Sequence, residues 1–407
     1  MRIALRAARG PLAALLLLGA VSIVARPLLP IDETRAASVA WEMWTTPSWL
    51  VPLLNGEPYS HKPPMLAWTI FAGWAVAGVS ETWVRLIPLL FAAATLLLVA
   101  ALARRLWPED RAAPELAAWV LVGSLLFNVL GTSLLYDAPL TFFALLALLG
   151  IVQAADRRRI GILLAGVAIG LGVLTKGPVV LVAVMPAALL APWWAGAAVG
   201  RFGRWAAKAA AMLGIGASVA LAWALPAAAA GGEAYRQELL WGQTAGRVVE
   251  AFSHREPWWW YLPFLPVIVF PWSVWPPLWR AVVRVVRGPS DRGVRLALAV
   301  VVPGLVMMSS VSGKQPYYLL PLVPGFALLA ARALSAEAVV PARWHAAVPA
   351  TLLAAPGLAI AAARSAHLDA WALAGVSPWA GVAVASVGVA LVASPPAGPV
   401  ASARRLA

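Results

Sequence analysis

Long apolar runs separated by short polar connections recur along the whole chain. Runs of roughly 17 to 25 residues have the length a helix needs to cross a bilayer. Such runs lie near 11–29, 85–103, 115–133, 137–155, 160–175, 178–194, 209–229, 259–279, 296–311, 317–334, 346–363 and 372–393. The pattern predicts an all-α polytopic membrane protein with about 12 transmembrane helices (11 to 13). No soluble domain interrupts the runs, so the expectation is one membrane module over 1–395, a short cytoplasmic tail over 396–407 and no soluble C-terminal domain.

Two stretches break the pattern. Residues 31–80 read as a first extracytoplasmic loop with interfacial helices. Its first part carries Asp32, Glu33, Arg35, Glu42, Asn55 and Glu57 together with prolines, which argues against a span. Thr34 to Trp44 can form a short helix with Trp41 and Trp44 on one face, a suitable interfacial anchor. The segment 65–80, MLAWTIFAGWAVAGVS, either crosses or lies in the interface. The second stretch, 230–258, holds Arg236, Arg247, Arg255 and His254 among several acids, and predicts an amphipathic helix in a second outer loop.

Charge decides between the two topologies. The chain is 62% hydrophobic and 12% charged with a net charge of +14, against about 25% charged in ordinary soluble domains. Its basic residues sit in short clusters between apolar runs, so membrane orientation explains them better than nucleic acid does. If 65–80 does not cross, the clusters at Arg2/Arg6/Arg9, Arg104/Arg105/Arg111, Arg157–Arg159, Arg201/Arg204/Lys208, Arg280–Arg295 and Arg332/Arg343 fall on one side with the N-terminus. The positive-inside rule makes that side cytoplasmic. The first run lacks a small-residue cleavage site before Arg26 and reads as a retained anchor. With no cysteine, disulfides are excluded.

This sorting by basic clusters places Asp32, Glu33, His61, Lys62, Asp137, Lys176, the 230–258 loop and Lys314 together on the other face. Ionisable groups at a membrane boundary are costly enough to mark function. Asp32 and Glu33 could equally cap a helix, as could Asp137 in YDAPLTFF. Lys62 in HKPP, Lys176 in LTKGP and Lys314 in SGKQPYY are each pinned beside a proline at the mouth of a span, a pattern suited to a phosphate-bearing ligand. Arg247, Arg255 and Tyr317 join them as candidates for the same phosphate. His61 reads as a structural histidine or a metal ligand.

DETR with WEM, LNGEPYSHKPP, YDAPLTFF, LTKGP and SGKQPYYLLPLVPGFALLAAR, in that order from about residue 30 to 335, resemble the serial signatures of the bacterial GT-C membrane glycosyltransferases. The resemblance is to the branch shared by lipid A aminoarabinose transferases and protein O-mannosyltransferases. It implies the GT-C fold in a bacterial inner (plasma) membrane, with a site facing the periplasm or cell exterior. The implied donor is a sugar on a polyprenyl phosphate, and the acceptor a lipid, glycan or protein. Asp32 matches the family's acceptor-activating acid, Lys62 the lysine that meets the donor phosphate, and His61 and His254 two positions that can hold a divalent metal; a His/His pair would suit zinc.

The chemistry agrees. A departing polyprenyl phosphate needs cations, and the acceptor needs a carboxylate to take its proton. Asp32 is the expected base, with Glu33 and Asp137 as further catalytic candidates and inversion as the expected outcome. The alternative is a transporter or flippase for a polyprenyl-linked sugar, which would place polar groups along a path at mid-membrane.

Overall fold

The computed structural model describes residues 2–246, 255–289 and 291–336, with scattered positions beyond 350. Helices dominate: α1 (Arg2–Ala25), α2 (Asp32–Thr45), α3 (Met65–Ala77), α4 (Glu81–Leu106), α5 (Ala113–Gly123), α6 (Leu125–Gly131), α7 (Asp137–Ala155), α8 (Ile160–Lys176), α9 (Val180–Leu189), α10 (Ala191–Ala195), α11 (Phe202–Ala230), α12 (Gly232–Gln237), α13 (Pro276–Arg287), α14 (Arg292–Ser310) and α15 (Val323–Ala336). A hairpin, β1 (Leu53–Leu54) and β2 (Glu57–Pro58), turns through Asn55 and Gly56. Both turn residues have positive φ, the geometry that makes Asn-Gly the preferred two-residue hairpin turn.

Polar contacts divide the bundle into two ends. At one, Arg26 follows α1, Arg85 in the first turns of α4 donates to the last carbonyls of α1, and Lys176 meets Asp137. At the other, Asp156 pairs with Arg105 and Arg292, and Arg332 joins Asp110 to Asp291. Burial alone would raise the Asp110 carboxyl, but hydrogen bonds from Ser335, Ala113 and Ala112 and the Arg332 charge outweigh it and hold the group below its ordinary value.

Among the described residues, seven segments are long and apolar enough to cross a membrane, and the pair α5–α6, bent by 71°, makes an eighth. A ninth pass is hidden inside the segment 160–189. Lys176 ends α8 beside Asp137, the first residue of α7, whereas the Trp194 ring on α10 lies 5.1 Å from Arg292, which pairs with Asp156 just past the end of α7. The chain therefore reverses at Gly177-Pro178, where Gly177 takes a φ of 77° that glycine adopts without strain. A tenth pass is broken: it starts at the site end, where Glu256 N–H donates to Ser312, and leaves through α13 toward Asp291.

That broken pass corrects the expectation of one helix over 259–279. Pro263, Pro266, Pro271, Pro276 and Pro277 each remove a backbone donor, and only turns and short helical pieces form before α13. Unpaired backbone groups in a membrane cost several kcal/mol. Here two breaks satisfy one another: Leu125 N–H donates to Phe270 and Trp272 Nε1 to Val120, across the bend between α5 and α6.

The ten passes coincide with the first ten predicted runs; 346–363 and 372–393 lie outside the described residues except for scattered positions. The segment 65–80 does not cross. At 13 residues, α3 spans about 20 Å, it packs against α2, and α4 begins beside the end of α1. The multi-pass membrane protein read from the sequence is the protein observed.

Candidate active site

The first loop is built from its polar residues outward. Glu42, on α2, accepts hydrogen bonds from Asn55 N–H (2.7 Å) and Gly56 N–H (2.9 Å), fixing the hairpin to the helix. Tyr59 N–H returns to Pro52 O, and the chain then runs through His61, Lys62 and two prolines into α3. Trp44 packs on Trp74 and Phe71, and Trp41 on Trp74, so the Trp face of α2 meets α3. The opposite face carries Asp32, Arg35 and Ala36.

That face forms one wall of a pocket lined by Asp32, Arg35, Ala36, Tyr59, Lys62, Leu135, Tyr136, Asp137, Lys176, Tyr317 and Tyr318, with roughly 430 Å³ of empty space, part of it open to solvent. Five segments distant in sequence converge here. Three cations face two carboxylates, so the pocket carries net positive charge suited to an anion. Lys176 Nζ pairs with Asp137 at 2.6 Å, both almost fully buried, and lies 5.0 and 4.5 Å from the Tyr317 and Tyr318 ring centroids. Lys62 Nζ sits 5.8 Å from the Tyr136 ring. Such cation–π contacts help hold a lysine in place.

The two aspartates differ sharply. Asp137 is 2% exposed and committed to Lys176, and it does not cap α7: Tyr136 stands at the cap position without a side-chain bond. The Asp32 side chain is 57% exposed and faces Arg35 at 3.5 Å. Burial, with Tyr59 and Asp32 adding to it and Arg35 opposing, pushes the Tyr136 phenol above its usual range, so it enters the site as a neutral donor.

Several candidates lie elsewhere. Glu33 points away from the pocket into a buried ion pair with Arg26 (2.6 Å) and accepts hydrogen bonds from Leu29 N–H and Leu134 N–H. Lys314 is 2% exposed and spends its ammonium on the carbonyls of Glu256 (2.8 Å) and Val311 (2.5 Å), which joins the broken pass to the start of the last one. Arg255 bridges to Gly313 in the same junction. His61 stacks near Tyr59, with ring centroids 5.1 Å apart. Arg247 and His254 lie outside the described residues. Among the described residues no three His, Asp or Glu side chains gather as a metal-ligand set. The second outer loop begins as α12 and a π-helical stretch, Glu238–Gly246, rather than one amphipathic helix.

Arg35, Tyr59, Tyr136 and Tyr318 were missed. Each stands inside a motif that drew attention for its neighbour: DETR, YSHKPP, YDAP and KQPYY. The signal available was that a short motif at a pocket wall contributes more than one side chain.

Residues 61–229 match the model of the dolichyl-phosphate-mannose-protein mannosyltransferase family. An undecaprenyl phosphate-alpha-4-amino-4-deoxy-L-arabinose arabinosyl transferase of Pseudomonas aeruginosa (strain UCBPP-PA14) is 32% identical over 317 residues, 74% of this chain and 55% of the relative. One from Enterobacter sp. (strain 638) is 28% identical over 75% of this chain and 55% of its own. The chain thus spans about half the length of these curated relatives. The crystal structure of ArnT from Cupriavidus metallidurans bound to undecaprenyl phosphate superposes with a TM-score of 0.76 at 21% identity, over 97% of this chain and 73% of that one.

In fold, then, the chain is similar to that multi-pass membrane structure. In sequence it is similar, over part of each, to the aminoarabinosyl transferases and to the dolichyl-phosphate-mannose-protein mannosyltransferase family, the branch its motifs resemble.

Proposed function

We propose that the protein is a glycosyltransferase that moves a sugar from a polyprenyl phosphate, of the undecaprenyl type named for its relatives, to a lipid, glycan or protein acceptor, with inversion. One observation carries this reading: a solvent-reaching carboxylate, Asp32, shares a pocket with Lys62, Lys176 and Arg35 at one end of a membrane bundle. The basic clusters at the other end support a cytoplasmic location for that end and a periplasmic or external one, at a bacterial inner membrane, for the pocket.

In the proposed reaction the acceptor oxygen attacks the anomeric carbon from the side opposite the phosphate. The bond from that carbon to the phosphate oxygen breaks, its electron pair leaves with the polyprenyl phosphate, and the acceptor proton passes to Asp32. Lys62, Lys176 and Arg35 stabilise the charge that develops on the departing phosphate. Asp137 holds Lys176 in position rather than acting as the base, because its carboxylate is buried against that lysine.

A transporter would carry the lipid-linked sugar intact. In vesicles holding the purified protein, an undecaprenyl phosphate-linked sugar and a cell-envelope extract that supplies lipid, glycan and protein acceptors, a transferase releases free undecaprenyl phosphate as a new glycosidic bond forms. Translocation without release would overturn the reading. Lys62→Ala should weaken undecaprenyl phosphate binding about 10- to 100-fold, the worth of one charged hydrogen bond.

A further inference from the structure

We infer that Glu33 is a positioning residue: its buried carboxylate fixes the distance between the α2 wall of the pocket, with Asp32, and the α7 wall, with the Asp137–Lys176 pair. Oε2 accepts from Arg26 Nη1 (2.6 Å) and Leu29 N–H (2.6 Å), and Oε1 from Leu134 N–H (2.7 Å) and Arg26 Nη2 (3.2 Å). Four donors converge on one carboxylate that is 4% exposed.

Sequence position turns this into geometry. Glu33 directly follows Asp32, and Leu134 lies three residues before Asp137, so one side chain ties together the two segments that bear the pocket's carboxylates. Arg26 extends the tie, since its Nη2 also donates to Thr132 O at 2.7 Å. Arg26 is itself held, because Arg85 donates to the carbonyls of Ser22, Ile23 and Arg26. The knot joins the ends of α1 and α6 to the starts of α2, α4 and α7.

Apolar packing of Ala36, Val39, Ala40 and Met43 with Leu66, Ile70 and Leu134 keeps α2 near that turn, but contacts of this kind tolerate sliding. A fully satisfied buried ion pair sets register, its best-attested use. The first turn of α2 has no side-chain cap, and Asp32 meets Arg35 at an exposed 3.5 Å contact within its own helix. Glu33 therefore supplies the register that Asp32 lacks.

The test uses the absence of cysteine from the chain. Spin labels on Thr45→Cys at the end of α2 and Val129→Cys on α6 report the spacing across the knot. Labels on Ile160→Cys and Val286→Cys, both exposed and away from the site, serve as the control pair. In the full-length protein in nanodiscs, Glu33→Gln should replace a single narrow distance distribution across the knot with a broad one while the control pair stays unchanged. Arg26→Lys, which keeps the charge but loses the fork, should broaden it less, and it serves as the milder variant where Glu33→Gln does not fold. Unchanged distributions, or broadening of both pairs alike, would overturn the inference, the second because it would make Glu33 a residue of general stability. The measurement needs neither donor nor acceptor, so it stands or falls apart from the proposed transfer reaction.

Discussion

Neighbouring acids in DETR have opposite environments, and their environments assign their roles. Asp32 reaches solvent in the pocket, and Glu33 is enclosed by donors. Burial alone would raise the Glu33 carboxyl, but the hydrogen bond from Arg26, those from Leu29 and Leu134, and the Arg26 charge outweigh it and hold the group below its ordinary value of 4.5. A carboxyl depressed in the folded state adds stability that is complete above its unfolded pKa and is lost as pH falls through the folded one. Wild type should therefore lose thermal stability below about pH 4.5 faster than Glu33→Gln, whose stability in that window should be flatter; parallel curves in a thermal scan across pH would contradict this.

At the scale of elements, the pocket depends on how closely α8 fits against α7. A Cβ added at Gly150 would lie 2.5 Å from Ala165 N and 2.8 Å from Gly161 O, both backbone atoms that cannot rotate away. Small residues at such crossings let membrane helices approach closely, and here they set the reach of Lys176 to Asp137. Gly150→Ala should cost about 1–3 kcal/mol through overpacking, more than the gain of about 1 kcal/mol in helix propensity. The measurement is the unfolding temperature in detergent, and an unchanged or raised value would show that the helices can part without cost. The same scale shows what sequence reading could reach. Ten runs became ten passes because length and apolarity are local properties. The pass through 256–287 was placed correctly but shaped wrongly, since its helical breaks are made tolerable by partners on α5 and α6, more than a hundred residues away. Lys314 misled for a similar reason: lysine beside proline at a span mouth marked both Lys62 and Lys314, and only the packing of Glu256 distinguishes the buried strut from the pocket cation.

At the scale of the whole molecule, charge and chemistry separate to opposite ends. Asp110, Asp156 and Asp291 staple the basic end through Arg105, Arg292 and Arg332, while the converging motifs build the pocket at the other. Single cysteines at Glu57, beside the pocket, and at Arg157, beyond α7, should react asymmetrically with a membrane-impermeant maleimide applied to intact cells freed of their outer barrier. Labelling at position 57 alone fits the proposed orientation, and labelling at 157 alone would invert it.

Sugar transfer by a pocket whose proposed base is Asp32 can be read out by mass spectrometry of lipids and glycoproteins. Three strains suffice: one with the gene, one without it, and one carrying Asp32→Asn at matched protein level. One glycosylated acceptor present in the first should be missing from the other two, with the undecaprenyl phosphate-linked sugar accumulating in both, because loss of the base should slow transfer about 10²- to 10⁴-fold. An acceptor formed equally well with Asp32→Asn, or identical profiles in all three strains, would contradict it.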